Sequence, residues 1–368
     1  TMQDNHATLN NYLYKPLFFD KSNPADVIAI QELIDKQEIV FVYDQFERQL
    51  RDLFVCRNPT FSTNEEQFLE FVGLVSNQQP MEELGAWVYY PWRKTLVHIL
   101  EREEFIEVRT NRNQLKISKS EQEFLSTKTI GIIGLSVGQS VAITIAMERG
   151  CGKLKLADFD DLDLSNLNRL RAPIFSLGMP KVVLAAREIA EIDPYLEVEI
   201  YPEGIKEENY QEFLIGSQKL DLLIEVCDNF EVKVESRIRA REFGIPVIME
   251  TNDRAMLDIE RFDKIPDLKI FHGLVGDLTV EEIHALDKSE RMGLLMKIVN
   301  AKDLSDRMKQ SLPELGKSLK SWPQLASEVV LGGGISAWAS RKLLLGQDLN
   351  SGRYYVDLEK ILSAHPVN

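Results

Sequence analysis

Between residues 129 and 249 short, largely apolar strand-like runs alternate with longer stretches of helical spacing. Residues 129–133, 153–157, 196–200, 220–226 and 246–249 read as buried strands, and residues 137–148, 181–191, 207–215 and 230–242 as the intervening helices. Apolar strands separated by helices predict an α/β, Rossmann-like fold, a mostly parallel sheet with helices on both faces. The pattern ahead of this region is different. Asn23-Pro24 opens a helix with Asn at the cap and Pro at the first position. Residues 39–42 read as a strand, and 44–56 and 62–75 as helices, the second opening on Ser/Thr with Glu65 and Glu66 in its first turn. Residues 87–90 and 95–98 flank Pro91-Trp92-Arg93-Lys94 as a hairpin. A smaller α+β module over 1–105 therefore precedes a larger domain over 106–368. The tail is mainly helical, with an apolar helix over 327–345 opened by Gly332-Gly333-Gly334 and a last strand over 353–358.

The 368 residues are ample for two domains, and 44% apolar with 27% charged residues is ordinary for a water-soluble globular chain. No run approaches the roughly 20 apolar residues of a membrane span, and Thr1-Met2-Gln3-Asp4-Asn5 lacks the basic-then-apolar order of a signal peptide. Cys56, Cys151 and Cys227 are widely spaced and form no CxxC pair, which argues against a disulfide framework or a cysteine zinc site and for a reducing, cytoplasmic setting. A formal net charge of −15 without a Lys/Arg stripe disfavours nucleic-acid partners.

Candidate chemistry gathers at the strand ends. Gly134 and Gly138 sit in the first strand–helix turn, where backbone amides attract an anion. Asp158 ends the next strand, close to the roughly 20-residue spacing at which a carboxylate reaches a ribose hydroxyl. Ser136 stands where a second glycine would admit phosphate. Gly134-Leu135-Ser136-Val137-Gly138 also spells G-x-S-x-G, the nucleophile elbow of a serine hydrolase, with His272 as the plausible base among the later histidines His272, His284 and His365. That reading leaves the run Ser165-Asn166-Leu167-Asn168-Arg169 unexplained. Asp228-Asn229 can be read as a helix cap, Lys181 as a first-turn helix residue, and Asp161 and Asp163 as solvated loop charges.

In this order, Gly134, Asp158, Asp160, Ser165-Asn166-Leu167-Asn168-Arg169, Lys181 and Asp228-Asn229 resemble the ThiF/MoeB/HesA superfamily, the adenylating domain shared with ubiquitin-activating enzymes. The resemblance covers roughly residues 108–262. It implies an ATP-dependent adenylyltransferase that joins a substrate carboxylate to AMP. Asp158 would accept from the ribose; Gly134, Ser136, Gly138, Asp160 and Asn168 would complete the nucleotide site. Asn166, Arg169 and Lys181 would grip the triphosphate, and Asp228 would hold Mg²⁺. Within residues 109–113, Arg112 matches the arginine finger that the partner of a homodimer supplies. Leu170 replaces the family's Gln, no zinc-binding cysteine pairs are present, and no cysteine follows Cys227, so no thioester step is expected.

The run from GLSVG through ADFDDLDLSNLNRLR to DRAMLDIERFD also resembles the ThiF-like half of bacterial nitroreductase fusions. The module ahead of the adenylating region is similar to that of microcin- and pantocin-type peptide-tailoring enzymes, with Trp87, Tyr89, Tyr90 and Trp92 as an aromatic surface for substrate. The resemblance implies a ribosomal precursor peptide or a small protein with a free carboxylate as substrate, then a ubiquitin-like carrier, and last a tRNA-directed reaction. A catalytically inactive binding protein is the remaining alternative.

Overall fold

The structure is a computed structural model that describes residues 13–60 and 64–364. Its packing divides the chain into two units: residues up to Lys119 together with Asp193–Tyr195, and Ser120–Ile192 together with Leu196 onward.

In the first unit, four strands, β1 (Leu17–Phe19), β2 (Phe41–Asp44), β3 (Ala86–Tyr90) and β4 (Thr95–Ile99), form a sheet in the order β1-β3-β4-β2. The β3–β4 hairpin is antiparallel and β2 joins β4 in parallel. Helix α1 (Pro24–Asp35) starts as expected: the Asn23 side chain accepts from Ala25 N–H. Helix α2 (Phe46–Arg57) buries Phe46, Leu50, Leu53 and Phe54 against Phe68 of α3 (Glu65–Ser76). Ser62 and Thr63, expected at the start of α3, lie outside the described residues; the cap is Asn64, whose side chain accepts from Glu66 N–H. Of the expected aromatic surface, Trp87, Tyr89 and Tyr90 are buried and Trp92 is half-buried. Trp87 and Tyr89 are each 3% exposed and pack with Ile30, Ile39 and Leu96, because both faces of β3 are covered. Helix α4 (Arg102–Thr110) runs into the single turn Asn111–Asn113.

The second unit opens with α5 (Lys119–Leu125) and carries seven strands: β5 (Thr129–Ile133), β6 (Lys153–Ala157), β7 (Glu197–Tyr201), β8 (Leu222–Glu225), β9 (Val247–Thr251), β10 (Met256–Glu260) and β11 (Gly352–Tyr355). Their order is β11-β10-β9-β8-β5-β6-β7. The five strands from β9 to β7 are parallel, as their apolar runs require; β10 and β11 add antiparallel pairs at one edge. Helices α6 (Gly138–Glu148), α7 (Lys181–Ile192), α8 (Tyr210–Ile215) and α9 (Phe230–Glu242) are the crossovers. Short helices α10 (Val280–Ala285), α11 (Lys288–Ile298) and α12 (Asp306–Ser311) follow β10, then the long α13 (Ala326–Leu344) and terminal α14 (Leu358–Ala364). The glycines expected to open α13 lie inside it, where Gly332 and Gly333 let it pack closely on β9 and α6. Crossovers from β5 go one way to β6 and, after β7, the other way to β8. The β5/β8 junction is thus the switch point at which open α/β sheets form a crevice.

Candidate functional site

The chain leaves β5 at Gly134 with φ +89°. A Cβ there would stand 2.8 Å from both Cα and backbone N of Cys227. Glycine is therefore required for the ends of β5 and β8 to approach. A Cβ on Gly138 would lie 2.9 Å from Ile132 Cγ2, so this glycine brings the start of α6 down onto the sheet.

Asp158, 8% exposed, accepts from Leu135 N–H at 2.5 Å and from Asp160 N–H at 2.8 Å. One oxygen holds the glycine turn and the other the start of the loop after β6. Burial raises its pKa, while the two amides and Lys181 pull the other way. Lys181 Nζ donates to Asp160 Oδ2 at 2.8 Å, and Lys181 N–H to Asp160 O at 3.0 Å. The ammonium is buried beside the turn, although the helix start on which it sits opposes a cation.

The asparagines divide. Asn166 Oδ1 accepts from Asp163 N–H at 2.9 Å in a capping box, so this side chain shapes its own loop. Asn168 Nδ2 donates to Gln324 O at 2.8 Å and fastens a distant segment beside the loop. Arg169 links the groups: its Nε donates to Ser136 Oγ at 3.1 Å and its NH1 to Asn168 Oδ1 at 2.9 Å. Partial burial lowers the Arg169 pKa, and Asp228 opposes that shift. Asp228 is exposed and follows β8; Asn229 caps α9, its Oδ1 accepting from Val232 N–H at 3.0 Å. Arg112 is exposed on the turn Asn111–Asn113 of the first unit.

Gly134, Ser136, Asp158, Ile205, Asp228 and Val232 line one cleft of about 590 Å³. Apolar walls flank polar strand ends, which suits a nucleoside with its phosphates. Among the described residues no group of three or more His, Cys, Asp or Glu is placed to hold a metal by itself. Asp228 fits the commoner arrangement for Mg²⁺, in which one carboxylate is completed by waters and substrate phosphates.

Among the described residues no histidine bonds to Ser136. His272, the base expected for a hydrolase, bonds Asp258 of β10 at 2.9 Å, and His365 lies outside the described residues. Nor does any described helix have the length and apolarity to cross a membrane.

A model of the ThiF family matches residues 110–252. Those residues form a ThiF family domain. The uncharacterized protein MT1398 of Mycobacterium tuberculosis is 42% identical over 282 residues, 77% of this chain and 39% of that protein. A tRNA threonylcarbamoyladenosine dehydratase of Bacillus subtilis is 32% identical over 163 residues, 44% of this chain and 63% of that protein. The chain thus matches less than two thirds of the length of either relative. A crystal structure of E. coli MccB with MccA-N7isoASN aligns with a TM-score of 0.47 and 14% identity, over 83% of this chain and 82% of that one.

Behind the ThiF motif lies a buried charge network that patterning did not reveal. Glu225, at the end of β8, accepts from Cys227 N–H, from Lys233 Nζ at 2.9 and 3.0 Å, and from Arg237 NH1 at 2.6 Å. Arg237 Nε donates to Glu260 Oε2 at 2.5 Å. Burial alone would raise the Glu225 pKa, but Lys233 and Arg237 hold it at about 2. The network fixes the loop that presents Asp228. Its sequence signal was an acid ending an apolar strand, with Lys233 and Arg237 four residues apart on the next helix.

Proposed function

We propose that the chain is an ATP-dependent adenylating enzyme that activates a carboxylate of a peptide or small protein. The ThiF family domain supports nucleotide chemistry, and one observation carries the reading: the Gly134 turn, Ser136, Asp158 and Asp228 line one cleft at the switch point of the sheet, and Arg169 is bonded to Ser136 at its edge. In the reaction a substrate carboxylate oxygen attacks the α-phosphorus of ATP. The bond from the α-phosphorus to the bridging oxygen breaks, and pyrophosphate leaves with that electron pair. No proton transfer or covalent protein intermediate is needed.

Each residue has a part that follows from its surroundings. The Gly134 turn and the amides at the start of α6 take phosphate oxygens. Arg169, held by Ser136 and Asn168 and partly desolvated, offsets the charge that develops as the α-phosphate is attacked. Lys181 and Asp160 together stiffen the turn beside it. Asp158 fixes the same turn and faces the ribose. Asp228 would hold Mg²⁺, which would supply charge shielding for the phosphates. Arg112, exposed on its turn, is the group a second copy of the chain would bring to the cleft.

A tRNA-borne carboxylate is the second reading, favoured by the B. subtilis relative and opposed by the net charge of −15. ATP–pyrophosphate exchange separates the readings when peptides, a carrier protein and tRNA are offered in parallel. Arg169→Ala and Asp228→Ala are each expected to lower exchange by about 10²–10³-fold. Their circular dichroism and melting should stay unchanged, since neither residue is in the core. Full exchange in both variants discards the reading.

A further inference from the structure

A second cleft, of about 840 Å³, shares Val226, Cys227 and Asp228 with the first. It lies at the ends of β8 and β9 and is closed by α11 and the segment carrying Trp322 and Gln324. Its polar wall is unusual. Glu250 and Asn252 are 3% and 7% exposed. Neither carboxyl oxygen of Glu250, nor Asn252 Oδ1, nor Gln324 Oε1 has a hydrogen-bond partner. Four buried oxygens, on three residues that line this cleft, have no hydrogen-bond partner, and the Glu250 carboxyl also lies against Gly332 of α13. Each such atom costs about 1–3 kcal/mol if left so.

The surrounding charge has one sign. Asp228 and Asp253 belong to the same wall, and Asp253 already accepts from Ser305. Lys233 also lines it, but its ammonium is bonded to Glu225. Helix α13 makes room for the acid: a Cβ on Gly332 would run into the Glu250 carboxyl. What the wall lacks is a compact cation with several N–H groups. An ammonium has three, matching the three acceptor side chains.

We infer that this cleft binds a primary ammonium group of the substrate, so that the activated molecule is an amino carboxylate whose carboxylate reaches Arg169 across the Asp228 wall. The fate of the carboxylate rests on the adenylating reading; the ammonium site does not. Burial, and secondarily Glu328 of α13, push Glu250 up to about 8. An arriving ammonium favours the ionised carboxyl, so binding releases a proton and tightens as pH rises from 6 to 8. Glu328 of α13 is the charged group that acts on this carboxyl, and Asp228, Asp253 and Lys233 are the other charged residues lining the cleft.

The test is a ligand-observed NMR titration of the whole chain, without ATP, using ω-amino carboxylates of two to six carbons and the matching alkanoates. At least one amino carboxylate should bind about tenfold or more tighter than its alkanoate, and more tightly at pH 8 than at pH 6. Glu250→Gln should remove both the preference and the pH dependence, and Asn252→Leu should remove the preference. Glu250→Gln should melt no lower than the unsubstituted chain at pH 7, because it replaces a carboxyl that is neutral there with a neutral amide. Gln324→Leu, in an exposed segment, gives a second reading if either core variant misfolds. Equal binding of the two series, or no binding of any amine, overturns the inference. Calorimetry with ATP is run separately: absence of ATP uptake with the amine preference intact sinks adenylation alone.

Discussion

At the scale of single residues, one backbone position controls the candidate nucleotide cleft. Gly134 holds a positive φ and stands against the backbone of Cys227, not against a side chain that can move. An added methyl group has nowhere to go. Gly134→Ala is expected to cost about 1–3 kcal/mol in urea unfolding and to lower ATP affinity in calorimetry, because Leu135 N–H and Asp158 would lose their register. Gly178→Ala is the control: it also has positive φ but nothing within 4 Å of its Cβ. It should lose stability from strain alone and leave ATP affinity unchanged.

At the scale of elements, α13 shows how a helix with poor intrinsic propensity is kept by its packing. Three consecutive glycines cost about 1 kcal/mol each relative to alanine. Two of them earn their place. A Cβ on Gly333 would strike Ser140 of α6, with the Ser140 carbonyl carbon at 3.0 Å, and Gly332 faces Glu250 of β9. Gly334 faces nothing within 4 Å. Gly333→Ala should therefore destabilise by about 1–3 kcal/mol through overpacking, and Gly334→Ala should stabilise by about 0.5–1 kcal/mol through helix propensity. Thermal unfolding of the pair checks this; equal signs would contradict the packing of α13 on α6.

At the scale of the whole molecule, the C-terminal strand completes the second unit's sheet and its buried charge. β11 pairs with β10, and Arg353 Nε meets Asp258, which also bonds His272. Without Arg353 the buried Asp258 keeps His272 as its bonded partner, so Arg353→Met should cost about 1–3 kcal/mol in denaturant unfolding. The hydrogen bond to Asp258 raises the His272 pKa, against the effect of burial. A raised folded-state value means that this stabilisation is fully present below about pH 6.5 and is lost as pH rises through the folded value. The urea midpoint should fall across that window, and His272→Asn should flatten that part of the fall.

Local chemistry in the sequence determined a good deal. The apolar run of β5 and the Leu154, Leu156 and Ala157 pattern of β6 placed both strands to the residue, although β6 also buries Lys153 and Lys155. The Asn23-Pro24 cap was legible because capping is satisfied within three residues. The ordered polar groups at strand ends pointed to the ThiF domain, since crossovers in a parallel sheet bring those ends to one side. Tertiary structure alone decided the rest. Trp87 and Tyr89 went into the core because β3 is central in its sheet, which periodicity within one strand does not say. β10 was not read as a strand because Asp258 and Glu260 break its apolar pattern, and their partners Arg353, His272 and Arg237 are remote in sequence. Asn166 and Asn168 looked alike in one motif, yet one bonds its own loop and the other reaches Gln324. Glu250 was invisible for the same reason: a buried acid without a partner is defined by what surrounds it, and only the folded chain assembles those surroundings.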